Sequence, residues 1–346
     1  MIAPLNEDKN LHAIRRLIDE SERIVALTHM SPDGDAIGSA TAFRSVMEQI
    51  GKDVQIIIPD MMLASLRSLP GAKDITDATR YPEFAEKLIT EADLIVCLDF
   101  NESKRVGKLA GLLEQSKARK ILIDHHLNPG TFADVAISHP EMSSTCFLLF
   151  KVFCGLELFS EINKQAAESI LTGMMTDTGN FSYNAADPDI YVVVSELLKK
   201  GVDKEKIYRA QFETHSLNSL RLNAYAMLKK LEVWPDKGAA LITLTRDELN
   251  RFHYTKGDTE GLVNKALAIP GVVYSAFLRE EDGYVKVSMR SLDKFPVNEL
   301  CREHFGGGGH INAAGGEFNG TLEEAAALFR SLLDTNKSLY LSATHK

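Results

Sequence analysis

Four short apolar runs in the first part of the chain constrain the fold most strongly. They lie at 24–27, 54–58, 94–98 and 120–123, and segments with helical patterns separate them. Strands that are apolar along their whole length are typical of a parallel sheet that helices cover on both faces. Three further helical patterns, at 144–154, 161–175 and 189–200, should complete the same domain. The sequence therefore predicts an α/β domain over residues 1–201.

Three of these runs end in acidic or imidazole side chains. His29, Asp33 and Asp35 follow the first run, Asp99 follows the third, and Asp124-His125-His126 follows the fourth. The carboxyl ends of parallel strands meet at one edge of the sheet, where ligands commonly bind. A single Asp in such a turn more often caps a helix. The coincidence of several, with Asp177 after an apolar helix, instead favours a site for hard divalent cations.

Composition limits the partners of such a site. The 346 residues are 45% hydrophobic, and their formal net charge is -9. This acidic balance argues against a surface for long duplex nucleic acid, so a nucleic-acid substrate should be short. The cysteines lie in apolar surroundings without metal-ligand spacing, which predicts reduced thiols and a cytoplasmic location; they are Cys97, Cys146, Cys154 and Cys301. Residues 1–10 lack a signal-peptide pattern, and we expect no membrane partner because no apolar run approaches about 18 residues.

A second, smaller α/β domain is expected over residues 220–342. Charged helical segments at 202–219 indicate a linker before it. Its sheet should contain a strand at 239–244 and a hairpin formed by 272–279 and 285–290, and its helices should lie near 262–268 and 322–333. The chain has no phosphate-binding G-x-x-x-x-G-K-[S/T] loop and no dinucleotide-binding G-x-G-x-x-G after a strand.

Four consecutive glycines precede His310 in the second domain. A glycine run by itself is most often a flexible linker. Inside a compact domain, however, glycines let backbone amides approach an anion closely. The residues alone leave both interpretations open.

The order of these motifs resembles the DHH phosphoesterase superfamily. The resemblance covers His29-x3-Asp33-x-Asp35, Asp99, Asp124-His125-His126 and Asp177, and Gly307 to Gly315 is similar to the G-G-G-H-x-x-A-A-G pattern of DHHA1 domains. It implies a parallel-sheet DHH domain and a smaller α/β DHHA1 domain across a cleft. The members that it resembles most act on nano-RNA and on 3′-phosphoadenosine 5′-phosphate (pAp), or on cyclic and linear di-adenylates.

The resemblance also implies two divalent metal ions, held by the imidazoles and carboxylates of the motifs. One ion would be bound by His29, Asp33, Asp99 and Asp177, and the other by Asp35, Asp99, His125 and Asp177. The four carboxylates balance the charge of two such ions, and the two imidazoles shift the preference away from magnesium. Manganese is therefore expected, with magnesium or cobalt as alternatives.

The implied reaction is hydrolysis of very short RNA or DNA oligonucleotides to mononucleotides, and of pAp to AMP, by a hydroxide that two ions activate. His126 would contact the scissile phosphate, while Asp124 would either orient His125 or cap the loop. The implied substrate-binding residues of the second domain are Arg290, Ser291, Gly307, Gly308, Gly309 and His310.

Other functions stay open on the sequence. The first alternative is a phosphodiesterase for cyclic di-AMP or its linear product pApA, followed by an exopolyphosphatase or inorganic pyrophosphatase. A non-catalytic nucleotide sensor is the alternative from another class, although a sensor has no need for a complete set of acids. The oligomeric state is also open, with a homodimer among the possibilities.

Overall fold

The computed structural model describes Leu5 and residues 7–335. Residues 1–4, 6 and 336–346, and with them the outer ends of both predicted domains, lie outside the described part. The chain divides into two compact units between Thr214 and His215. We call them unit 1 and unit 2; the predicted linker at 202–219 and the two domain boundaries stay predictions.

A six-stranded parallel sheet forms the centre of unit 1, which confirms the predicted fold class. Its strands are β1 Ile24–Leu27, β2 Val54–Ile58, β3 Thr76–Asp77, β4 Leu94–Leu98, β5 Arg119–Asp124 and β6 Val135–Ser138. Their order is β3-β2-β1-β4-β5-β6, and every pairing is parallel. The order reverses between β1 and β4, and in open α/β sheets the crevice beyond such a reversal is the usual ligand site.

Helices cover both faces of this sheet. They are α1 Asp8–Glu20, α2 Gly34–Gln49, α3 Pro82–Glu91, α4 Ala110–Gln115, α5 Thr145–Gly155, α6 Lys164–Asp177, α7 Pro188–Lys199 and α8 Lys204–Tyr208. Successive residues of a strand point to opposite faces. Accordingly, Leu94, Val96 and Leu98 of β4 join one apolar core, whereas Ile95 and Cys97 join the other. This double burial explains the continuous apolar runs of the sequence.

Two glycines set the close approach of α2 and α6. A Cβ on Gly38 would lie 2.6 Å from the Ser169 carbonyl oxygen, and one on Gly173 would lie 2.7 Å from Asp35 Oδ1. Side chains at these positions would force the helices apart. Because α2 begins just after Asp33 and α6 ends at Asp177, their packing brings the acids of these two ends together.

The segment between β4 and β5 is only partly α-helical. A 3-10 helix runs from Ser103 to Leu109, and only Ala110 to Gln115 is α-helical. Gly107 interrupts the turn because it has a left-handed φ of 57°, which glycine adopts readily.

All four cysteines carry free thiols, as predicted. Among the described helices, none combines the length and the apolarity that crossing a membrane requires.

Unit 2 has a mixed sheet of six strands in the order β11-β12-β10-β9-β8-β7. The strands are β7 Leu231–Trp234, β8 Ala239–Leu244, β9 Tyr274–Glu280, β10 Val285–Ser291, β11 Gly308–His310 and β12 Ala313–Phe318. The helices are α9 Leu217–Tyr225, α10 Arg246–Arg251, α11 Leu262–Lys265, α12 Val297–His304 and α13 Leu322–Thr335. The predicted hairpin is confirmed as β9 and β10. The glycine run, in contrast, contributes strand β11 rather than only a loop.

Candidate metal centre

The turn between β1 and α2 positions His29 and Asp33. Asp33 caps α2, because its Oδ1 accepts hydrogen bonds from the backbone N–H groups of Asp35 (3.0 Å) and Ala36 (3.1 Å). His29 Nδ1 lies 2.7 Å from the Met30 carbonyl oxygen and must donate to it, since a carbonyl only accepts. The neutral ring therefore keeps a lone pair on Nε2, which lies 3.4 Å from Asp99 Oδ2.

A second imidazole has the same arrangement. His125 Nδ1 donates to the Met142 carbonyl oxygen at 3.1 Å, so its Nε2 is the ligand atom of the neutral ring. That nitrogen lies 3.4 Å from Asp177 Oδ2, 3.7 Å from Asp99 Oδ1 and 3.8 Å from Asp35 Oδ2. The structure thus brings carboxylates from three separate segments around this atom.

The first turn of α5 holds Asp35 in place. The two oxygens of this buried carboxylate accept from the backbone N–H groups of Thr145 (2.6 Å) and Cys146 (2.9 Å). The Thr145 hydroxyl donates to Asp99 Oδ1 at 2.9 Å. A helix N-terminus favours nearby negative charge, so α5 stabilises two carboxylates of the cluster.

Asp99 lies at the centre and is only 2% exposed. Burial, followed by the charges of Asp35, Asp33 and Asp177, raises the pKa of its carboxyl well above the usual value. Burial also opposes the charged form of His125, but Asp177 and Asp35 outweigh it and raise the pKa of that imidazole. In both groups, the negative charges of neighbouring carboxylates favour the protonated form.

Asp124 pairs with His126, whereas the sequence suggested that it would either orient His125 or cap the loop. Its Oδ1 accepts from His126 Nδ1 at 2.7 Å, and its Oδ2 accepts from the His126 backbone N–H at 3.0 Å. Burial, followed by the charges of His125 and Arg105, lowers the pKa of His126 well below its usual value. A neutral His126 ring is therefore fixed in one tautomer by a buried carboxylate.

The donor set fits divalent cations. Two groups have ligand atoms within 4.8 Å of one another; they are His29 with Asp33 and Asp99, and Asp35 with His125 and Asp177. A third such group contains Asp99, Asp124 and His126. The nitrogen-to-oxygen separations of 3.4–3.9 Å around His29 and His125 are longer than good hydrogen bonds. Buried carboxylates together with two imidazoles suit manganese, cobalt or magnesium.

Arg290 and His310 lie on one face of the unit 2 sheet. Arg290 in β10 and His310 in β11 each pair directly with Ala313, which lies between them in β12. Directly paired residues project to the same face of a sheet. The two predicted substrate-binding side chains therefore form a row across three strands.

Ser291 projects to the opposite, buried face. Its hydroxyl donates to the Phe295 carbonyl oxygen at 2.6 Å and accepts from the Asn312 side chain at 2.9 Å. The structure thus separates Ser291 from the row that contains Arg290, and gives it a role in holding the next turn.

The three predicted glycines differ in their surroundings. Gly307 packs so tightly that a Cβ would lie 1.9 Å from the Gly315 carbonyl oxygen, and its N–H donates to the Cys301 carbonyl. Gly309 has a φ of 142°, which non-glycine residues rarely adopt. Gly308 is exposed, with open space around its Cα. Close packing and backbone conformation therefore explain two of the three glycines.

Sequence reasoning missed Thr145 and Arg105. The signal for Thr145 was a Ser-Thr pair before an apolar helix, where Ser144 indeed caps α5 by accepting from the Phe147 N–H. No pattern in the sequence indicated Arg105, which only the fold places near His126.

Comparison with known proteins agrees with this geometry. The DHH family, N-terminal domain, matches residues 23–175, and the DHHA1 domain matches residues 239–335. The bifunctional oligoribonuclease and PAP phosphatase NrnA of Thermus thermophilus is 30% identical over 308 residues, covering 86% of this chain and 84% of that protein. The cyclic-di-AMP phosphodiesterase GdpP of Geobacillus thermodenitrificans is 27% identical. The match covers 93% of this chain but only 49% of that protein.

Among solved structures, an exopolyphosphatase-related protein from Bacteroides fragilis is similar to the whole chain. It is 46% identical, covers 98% of both chains and superposes with a TM-score of 0.93. The chain therefore belongs to the DHH family of phosphoester hydrolases, and it carries a DHHA1 domain after its DHH domain.

Proposed function

We propose that this enzyme hydrolyses very short oligonucleotides to mononucleotides and pAp to AMP. The observation that carries the proposal is the convergence of two imidazoles and four carboxylates at the carboxyl edge of the unit 1 sheet. The oligoribonuclease and PAP phosphatase relative, matched over most of its length, supports the substrate class.

The proposed cofactors are two divalent ions, and manganese is our choice. His29, Asp33, Asp99 and Asp177 would hold one ion, and Asp35, Asp99, His125 and Asp177 the other. When bound, such a pair supplies Lewis-acid stabilisation of the phosphate and lowers the pKa of a shared water. The carbonyl partners of His29 and His125 orient both rings for this role.

His126 is the proposed residue for contact with the scissile phosphate. Asp124 holds its Nδ1, so Nε2 is the ring atom that would meet the substrate. A phosphate beside this ring would favour its protonated form, which donates a hydrogen bond and can deliver a proton to a leaving oxygen. Asp124 then stabilises the positive ring, much as a buried carboxylate stabilises other catalytic imidazoles.

Arg290 and His310 are the proposed substrate-binding residues of unit 2. Their common face and their cationic or donor character suit a phosphate or base of a nucleotide. Gly308 and Gly309 are proposed to let substrate approach the backbone beside His310.

The second candidate function is hydrolysis of cyclic di-AMP or pApA. It is favoured by the cyclic-di-AMP phosphodiesterase that matches nearly all of this chain. We rank it second because the match covers only 49% of the length of that relative, whereas it covers 84% of the oligoribonuclease and PAP phosphatase.

A substrate panel with manganese tests the proposal. Di- to pentanucleotides, longer RNA, pAp, cyclic di-AMP, pApA and polyphosphate are compared by kcat/KM. We expect the shortest oligonucleotides to be hydrolysed fastest, because an acidic chain with a localised anion site holds few phosphates. The Asp99→Ala variant controls for contaminating nucleases. Faster hydrolysis of polyphosphate than of every nucleotide would contradict the proposal.

A further inference from the structure

Arg105 carries a buried polar atom that has no partner. The residue is half-buried in the 3-10 turn from Ser103 to Leu109, six positions after Asp99. Within residues 7–335, its Nε makes no hydrogen bond, although it is shielded from solvent. Buried guanidinium N–H groups are normally satisfied, so an unsatisfied one indicates that a partner is absent.

The backbone of Arg105 is tied to the metal centre. Its carbonyl oxygen accepts from the Met30 N–H at 2.8 Å, and the Met30 carbonyl in turn accepts from His29 Nδ1. Gly107 packs against the same methionine, because a Cβ there would lie 2.3 Å from Met30 Sδ. The position of Arg105 is therefore coupled to that of His29.

The charge of Arg105 acts on the same site. Its guanidinium lies close enough to His126 for the charges of the two side chains to interact. Elsewhere in unit 1, Arg119 pairs with Asp134 at 3.3 Å, whereas no described carboxylate forms an ion pair with Arg105. The Arg105 guanidinium therefore keeps donors for an acceptor outside the described residues.

We propose that Arg105 binds the scissile phosphate group of the substrate. The inference rests on the proposed function and extends it to a residue that the sequence analysis did not name. A guanidinium can donate two parallel hydrogen bonds to phosphate oxygens, which an ammonium group cannot reproduce. Because every phosphoester substrate presents this group, the effect of Arg105 should not depend on the remainder of the substrate.

The test compares Arg105→Met and Arg105→Lys with the control Arg119→Met. Methionine keeps an apolar stem in the partly buried position, and Arg119 lies at the other end of β5 from Asp124. The substrates are a dinucleotide and bis-p-nitrophenyl phosphate. AMP binding by calorimetry, manganese content and the melting temperature are measured in parallel.

We expect Arg105→Met to lower kcat/KM on both substrates by roughly tenfold to a hundredfold, the usual range for a lost charge-assisted contact. AMP binding should weaken about as much, with two ions still bound and the melting temperature unchanged. Arg105→Lys should recover part of the loss, and Arg119→Met should match the unaltered enzyme.

Three results would overturn the inference. They are activity within about twofold of the unaltered enzyme on both substrates, a loss confined to the dinucleotide, and loss of metal or stability in both Arg105 variants. Failure of the proposed function is distinguishable. If the unaltered enzyme hydrolyses only the small diester, and Arg105→Met loses that activity, the substrate class is wrong and the phosphate contact stands.

Discussion

At the scale of single residues, the central question is the charge of the cluster around Asp99. Asp99→Ala or Asp177→Ala should abolish hydrolysis and lower the metal content, because each removes a ligand proposed for both ions. Elemental analysis and turnover measure these effects.

Asp99→Asn should raise the melting temperature of the metal-free protein. The raised pKa of Asp99 indicates that its negative charge is unfavourable in the folded state, and asparagine removes that charge.

His126→Ala is the matched control for these ligand variants. It should keep near-normal metal content while turnover falls about 10²–10⁴-fold, the range for a lost acid or base. Two bound ions with full activity in both Asp variants would refute the ligand assignment. Loss of metal from His126→Ala would instead place this histidine among the ligands.

At the scale of elements, the contact between α2 and α6 determines the position of Asp35. A Cβ on Gly173 would lie 2.2 Å from Cys146 Sγ and 2.7 Å from Asp35 Oδ1. We expect Gly173→Ala to destabilise the fold by about 1–3 kcal/mol through overpacking, although alanine is the better helix former. Manganese affinity should fall as well, because Asp35 must move.

Gly111→Ala is the control, since this exposed glycine of α4 has open space where a Cβ would lie. It should stabilise the protein by about 0.4–1 kcal/mol. Denaturant unfolding and metal titration distinguish the two variants. If Gly173→Ala were as stable as Gly111→Ala, the close helix contact would not be a constraint.

At the scale of the whole molecule, the two units should contribute differently to catalysis. Arg290→Ala and His310→Ala should lower kcat/KM for a dinucleotide and for pAp by roughly tenfold to a hundredfold. Both variants should hardly affect bis-p-nitrophenyl phosphate, because binding energy from a remote part of a substrate cannot act on a truncated one.

Lys286→Ala is the control for these variants, since Lys286 lies on the same face of β10, four residues from Arg290. It should change neither activity. Equal losses on both substrates in Arg290→Ala and His310→Ala would place these residues in the chemical step or in the fold itself. Such a result would remove the proposed division between the units.

The sequence by itself determined the architecture of unit 1 and much of unit 2. The structure has strands at 24–27, 54–58, 94–98 and 239–244, with the same bounds as the apolar runs predict. These strands can be predicted from the sequence because a strand that is buried on both faces is a continuous run of apolar residues. Such a run is a local property of neighbouring residues in the chain. The family resemblance, carried by the order of the motifs, is confirmed by the comparisons.

Elements with weak local signals could not be read in the same way. Glycine is unfavourable in strands, so nothing near Gly308 predicts β11, which exists because β12 pairs with it. The edge strand β6 was missed because it is short and its burial depends on neighbouring elements. In both cases the decisive partner is distant in sequence.

The detailed site was also decided by tertiary structure. Asp35 is held by the N–H of Thr145, 110 positions later in the chain, and Asp124 meets His126 only in the conformation that follows β5. Arg105 reaches the same centre through a backbone hydrogen bond to the residue after His29. Sequence patterns can name the side chains at the ends of strands. The packing of helices and loops decides which of these side chains touch. That packing joins segments that are distant in sequence, so no local pattern predicts it.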